Sequence, residues 1–116
     1  LECFKIKTTE KFKATLDVDP GVNPPFPVAA GCTIGKATKY CVPVMRTVAV
    51  VDESSTLTGG SATVGQDLTD DRICYKVKCP DTDTTSITIT GVDRFGNREF
   101  TKLKTSEICT PAAQAP

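Results

Sequence analysis

Histidine and tryptophan are absent from this 116-residue chain, and methionine occurs once. The lack of His removes the usual general base, the commonest metal ligand and any haem attachment of the Cys-x-x-Cys-His kind. No Cys-x-x-Cys pair is present, which excludes a zinc ribbon and a thioredoxin-type motif. Charge of either sign is not in excess: 14 Lys and Arg face 14 Asp and Glu. No long-range field therefore steers the chain to nucleic acid or anionic lipid. No apolar run approaches the ~20 residues that span a bilayer, so no membrane span is expected. There is no Asn-x-Ser/Thr acceptor, because Pro24 follows Asn23 and Arg98-Glu99 follows Asn97, which favours a bacterial source. No window carries an apolar stripe of helical period and length. The length suits one domain and is too short for a barrel enzyme.

What is abundant is β-branched. Thr occurs 18 times, Val 11 and Ile 6, against five Leu, a bias toward strand. Six Cys in so short a chain are ordinary for a small extracellular protein and high for a cytosolic one. A secreted, extracellular or cell-surface protein is expected. A removed signal peptide explains a chain that begins at Leu1, as does a trimmed one.

The chain repeats itself. Cys3-Phe-Lys-Ile-Lys7 matches Cys74-Tyr-Lys-Val-Lys78 at an offset of 71, and Tyr40-Cys41-Val42-Pro43 matches Ile108-Cys109-Thr110-Pro111 at an offset of 68. Two matched ends in the same order make coincidence the weaker account. The halves are 1–44 and 72–112, with 45–71 a connector that holds a strand of its own and 113–116 a tail. Each half has the size at which a core needs staples or a partner, so one shared core is expected.

Strand signals are local. Ser86-Ile-Thr-Ile-Thr90 alternates at period two, Ile inward and Thr outward. Val92 to Phe100 reads as strand, turn, strand, with Gly96-Asn97 at the tip. Asp17-Val-Asp-Pro-Gly21 is a turn, and Pro24, Pro25 and Pro27 forbid a central strand beside it. Lys11 to Leu16 suits an exposed strand as well as one helical turn. The expected fold is all-β: a disulfide-stapled sandwich or partly open barrel of two related halves, with almost no helix.

Six Cys allow 15 connectivities. Equivalent positions in duplicated units make equivalent bridges, which gives Cys3–Cys41 and Cys74–Cys109. Cys32 and Cys79 lack repeat counterparts and are left for each other. Cys74 and Cys79 lie five positions apart on one strand, roughly 16 Å at full extension, too far for a bridge. That odd separation also sends them to opposite faces, Cys79 with Tyr75 and Val77 toward the core.

Cys74-Tyr-Lys-Val-Lys78, Asp93-Arg-Phe-Gly96 and Ile108-Cys-Thr-Pro111 resemble a tandem Cys-rich β-domain found in secreted proteins of deltaproteobacteria and related bacteria. The first half matches only at its ends and lacks the Phe-Gly dipeptide. The resemblance implies an extracellular β-domain and supplies no site residues.

Other constellations have two readings. Asp81 and Asp83, with Asp70-Asp71 before the strand, could ligate calcium, but the Gly and terminal Glu of an EF-hand loop are missing and turn-forming Asp is commoner. Lys5, Lys7, Lys76 and Lys78 could bind a polyanion, or mark a solvated face or a guarded edge. Nucleic acid is not an expected partner, since two Tyr make a poor stacking platform. No enzyme activity, cofactor or metal is expected: a nucleophile has no base beside it.

A structural role is therefore favoured, as a subunit of a secreted filament, sheath or surface assembly whose copies join by β-strand pairing or exchange. Two segments are the candidates. Arg46, Thr47, Val48, Ala49, Val50 and Val51 form an apolar strand flanked by flexible residues. Pro111, Ala112, Ala113, Gln114, Ala115 and Pro116 form an uncharged tail without strand pattern, the kind that needs tying down. The alternative is a binding module that takes a glycan or a partner protein through loops of the sandwich.

Overall fold

A computed structural model describes residues 1–23, 25–45, 52–57, 69–80 and 87–115. Every element among them is a strand: β1 (Glu2–Lys5), β2 (Ala14–Val18), β3 (Ala29–Val42), β4 (Asp71–Lys78), β5 (Ile89–Asp93), β6 (Gly96–Phe100) and β7 (Glu107–Ala112). The protein is all-β, as its composition requires. Two sheets form, and neither closes into a barrel.

The larger sheet runs β1-β3-β4-β7, with β2 pairing the N-terminal part of β3 on the same side as β1. All its pairs are antiparallel. The long β3 serves two partners on that side, Lys39–Val42 holding β1 and Ala29–Ile34 holding β2. Along β4 the register slips twice, between Ile34 and Ala37 and between Ala37 and Lys39. Each slip inserts one extra β3 residue, which bends and twists the strand. Pro25 and Pro27 lie outside any strand, as Pro must where a ladder needs donors.

The core lies on one face. Leu16 stands opposite Cys32, and Ile34 opposite Val77. Ala29, Cys32 and Val77 are buried, and Leu16, Val18, Ile34, Cys79 and Ile108 pack against them. Side chains from both halves meet there. Cys79 shares that face with Val77, and Cys74 points the other way, as their odd separation demands. The molecule buries little bulk: its largest fully buried side chains are Cys32, in this cluster, and Cys41, on the opposite face of the sheet. All five Phe are at least 40% exposed.

The second sheet is the β5–β6 ribbon. Ile87 is buried, Ile89 half-buried, and Thr88 and Thr90 exposed, the alternation of the sequence. The turn differs from expectation. Asp93 pairs with Gly96, so Arg94-Phe95 form the tip and Gly96-Asn97 begin β6. Asp93 moves the corner: its Oδ1 accepts the N–H groups of Phe95 at 2.9 Å and Gly96 at 3.1 Å, an Asx-type turn. Gly96 carries the positive φ that follows, 147°.

Candidate functional site

All six Cys are bridged, Cys3–Cys41, Cys32–Cys79 and Cys74–Cys109, the pairing expected from the repeat. The bridges are rungs between directly opposed residues: Cys3 faces Cys41, and Cys74 faces Cys109. Cys32 and Cys79 extend the Thr33–Lys78 pairing by one residue. Their Cα separations are 3.9, 4.1 and 4.0 Å. Cys41 and Cys74 are diagonal neighbours on adjacent strands, with sulfurs 3.9 Å apart. Four sulfurs thus cross the whole sheet in one row, Cys3–Cys41 beside Cys74–Cys109, on the face away from the core.

The rungs also fix which way the edges point. Opposed Cα atoms this close belong to non-hydrogen-bonded pairs. The N–H and C=O of Cys3 therefore point away from β3, and those of Cys109 away from β4. The same holds for Lys5 and Glu107, two residues along. Among the described residues no strand pairs with the outer edge of β1 or of β7. Pro111, in step with Cys109, offers that edge no donor and blunts its far end.

The tail departs from expectation. Pro111 and Ala112 belong to β7, opposite Arg72 and Asp71, and Gln114 Nε2 donates to Asp71 Oδ2 at 3.4 Å. Its own β4 ties down this end of the chain. Alternation was hidden there because one face of β7 carries Cys and Pro and the other Thr and Ala. Ala113 and Ala115 are exposed beyond the strand. The segment Arg46–Val51, Pro116 and the Asp81–Asp83 loop lie outside the described residues.

The lysines form the other feature of the outer face. Lys5 stands opposite Lys39, and Lys76 opposite Glu107. β4 is an inner strand, so Lys76 and Lys78 guard no edge. They belong to a solvated face. A hollow of about 430 Å³ lies among Lys5, Lys7, Lys39 and Lys76, with Thr38, Ser106 and Glu107 on its walls. A second, of about 540 Å³, shares Lys76 and Thr38 and adds Lys13, Lys36, Lys78, Thr33 and Phe12. Glu107 is the one acid of this lining and is taken by Lys39, Nζ to Oε1 2.6 Å.

No protein-family model matches this chain, and no curated protein or solved structure is significantly similar to it. Function therefore has to be argued from this geometry.

Several of the described carboxylates are occupied. Tyr40 donates its hydroxyl to Asp71 Oδ2 at 2.6 Å across β3 and β4, and that bond, with some desolvation, raises the phenol above its ordinary range. Asp70 lies 4.0 Å from Arg72. Asp52 accepts the hydroxyl and N–H of Ser54, which lower its pKa. Asp93 is likewise lowered, first by the Phe95 N–H and then by Gly96 and Arg98. These are turn and ladder contacts. The Cys74 and Cys109 sulfurs gather with Glu107 within 4.8 Å, but both are spent in a disulfide and the metal ligand is the thiolate. No described helix is long and apolar enough to cross a membrane. Three disulfides are the chemistry of an oxidising compartment.

Proposed function

We propose that this chain is a non-enzymatic extracellular structural protein, a subunit of a filament, sheath or surface assembly whose copies join by edge-to-edge strand pairing. One observation carries the reading. Each half contributes an opening strand and a closing strand, so the sheet order is opening, closing, opening, closing. The junction of the halves pairs a closing strand, β3, with an opening strand, β4. The two outer edges are an opening strand, β1, which shares its side of β3 with β2, and a closing strand, β7. Repeating the β3–β4 junction between molecules places β7 of one copy against β1 of the next.

The register follows from the repeat. Cys41 opposite Arg72 and Lys39 opposite Cys74 become Cys109 opposite Leu1 of the partner subunit and Glu107 opposite Cys3 of the partner subunit. These are the residues whose backbone groups point outward. The sulfur row then continues from Cys109 to Cys3 of the partner subunit, and Glu107 comes beside Lys5 of the partner subunit. A head-to-tail contact of this kind is heterologous: it closes into a ring only where its rotation returns to the start, and otherwise grows as a fibre. The exposed Phe4 on β1 gains cover in the same step.

The test is light scattering and electron microscopy of oxidised protein as its concentration is raised. Ordered fibres are expected. Glu107→Pro removes an outward N–H and should stop growth, while Glu107→Gln, which loses only the charge, should retain it. A strict monomer at high concentration sinks the proposal and promotes the binding-module alternative.

A further inference from the structure

We infer that the outer face of the sheet is a binding surface for an acidic polysaccharide, one whose carboxylates recur along a linear chain. The lining shares Lys5 and Glu107 with the two edges, but the charged face is present on a single copy and the inference does not depend on assembly. Charge is segregated on this molecule. The chain is neutral, with 14 cationic and 14 anionic side chains. Seven of the cations nevertheless line two hollows that run into each other through Lys76 and Thr38. Among the described residues only Lys39 of the seven has a carboxylate partner. Unpaired cations gathered on one face attract a polyanion, and together they hold it by releasing its counterions.

The neighbours of these lysines point to a sugar. Every cation of the lining is Lys and none is Arg. Lys is a hydrated point charge without the planar fork that reads phosphate in two-point fashion. Thr33, Thr38 and Ser106 bring hydroxyls to the same walls, the groups that exchange hydrogen bonds with sugar hydroxyls. Phe12, about half exposed, is the one aromatic that borders the hollows, and its ring lies against Tyr75, 6.3 Å between centroids. One aromatic is too few for the stacked bases of a single-stranded nucleic acid. The periodicity fits as well. The backbone positions that carry the lysines lie about 4.8 Å apart from strand to strand and about 7 Å apart along a strand, a spread that suits a polymer better than a small anion.

The probe is polygalacturonate, with neutral dextran and duplex DNA as comparators, on oxidised wild-type protein. Retention on polygalacturonate is expected, with none on dextran and weaker binding to DNA. Affinity should fall steeply with salt. K36Q/K76Q/K78Q removes three cations and leaves both outer edges intact. It should flatten the slope of log affinity against log salt by about two, at roughly 0.7 per cation. K102Q/K104Q, outside the lining, should bind as wild type. Binding without salt dependence, equal retention on dextran, tighter binding to DNA, or a triple variant indistinguishable from wild type would each overturn the inference. Circular dichroism and thiol titration confirm that the variants keep their sheet and bridges. Fibre growth of the triple variant separates this outcome from that of the assembly proposal.

Discussion

The five-stranded sheet and the β5–β6 ribbon are held by different physics. The sheet gathers strands from distant parts of the chain and fastens them with rungs that span 38, 47 and 35 residues. Its buried apolar side chains are few and small, and three of the six are Cys. The ribbon has no disulfide and closes within residues 89–100. Asp93 holds its turn, Arg98 reaches both Asp93 and the Phe100 ring, and Phe100 covers Gly91. Covalent closure of long loops replaces a large core in one region, and short-range polar contacts shape the other. The sheet should therefore fail globally and the ribbon locally.

The hardest break is in the sheet. Each bridge closes a loop long enough to contribute about 4 kcal/mol in the chain-entropy model. Cys32–Cys79 should be worth most, because Cys32 is fully buried in the cluster of Ala29 and Val77 and its loss also leaves a cavity there. In denaturant melts of the three double-alanine variants, Cys32→Ala/Cys79→Ala is expected to lose the most stability. If Cys3→Ala/Cys41→Ala lost as much, the core contribution assigned to Cys32 would be wrong.

That division tracks what could be read from the sequence. Bridge pairing was legible because duplication makes Cys positions equivalent, and the facing of Cys74 and Cys79 was legible because strand parity is a rule of local geometry. The slips in β3 were less so, since they come from matching β3 to β4 and their one mark is Gly35, an isolated glycine inside a strand. The inner position of β4 was hidden for the same reason, so Lys76 and Lys78 could pass for edge guards. The ribbon tip was misplaced because Gly96-Asn97 is a strong turn signal, while the decisive contact is a side-chain bond from Asp93. The lysine hollows escaped because Lys13, Lys36 and Lys39 come from segments that no repeat connects to Lys76.

A smaller effect is expected in the ribbon. A Cβ at Gly91 would lie 2.6 Å from Phe100 Cε2, so the ring must move off the strand. Gly91→Ala should cost about 1 kcal/mol, at the low end for overpacking, since Phe100 is partly exposed and can swing out. Amide exchange should show β5 and β6 opening sooner while the protection of β3 and β4 is unchanged. A parallel loss of protection in β3 and β4 would mean that the two regions are one cooperative unit.

Acid should act on the ribbon in the same selective way. The folded pKa of Asp93 is depressed, first by the Phe95 N–H. A depressed value means that its contribution is complete above the unfolded pKa, about 3.9 for Asp, and is lost as pH falls through the lower folded value. Exchange of the Phe95 and Gly96 amides should accelerate as pH drops below that range, beyond the intrinsic pH dependence. Asp93→Asn should remove the added step, and its persistence in that variant would assign it to another group.

The smallest expected effect lies in the sheet, where one polar tie of the ribbon's kind joins β3 to β4. Tyr40 donates to Asp71, and its raised pKa places the linkage at the alkaline end. A raised value means the contribution is full below the unfolded tyrosine pKa, near 10, and disappears as pH climbs through the higher folded value. The Tyr40 phenol, isolated as the difference between wild-type and Tyr40→Phe absorbance titrations, should ionise above the ordinary tyrosine range. Asp71→Asn keeps an acceptor and removes the charge, so it should bring that titration part of the way back. Because Tyr40 is partly solvent-exposed and three bridges hold the sheet, Tyr40→Phe should lower stability less than any change above. A larger loss would show that this bond, with the disulfides, sets the alignment of the two halves.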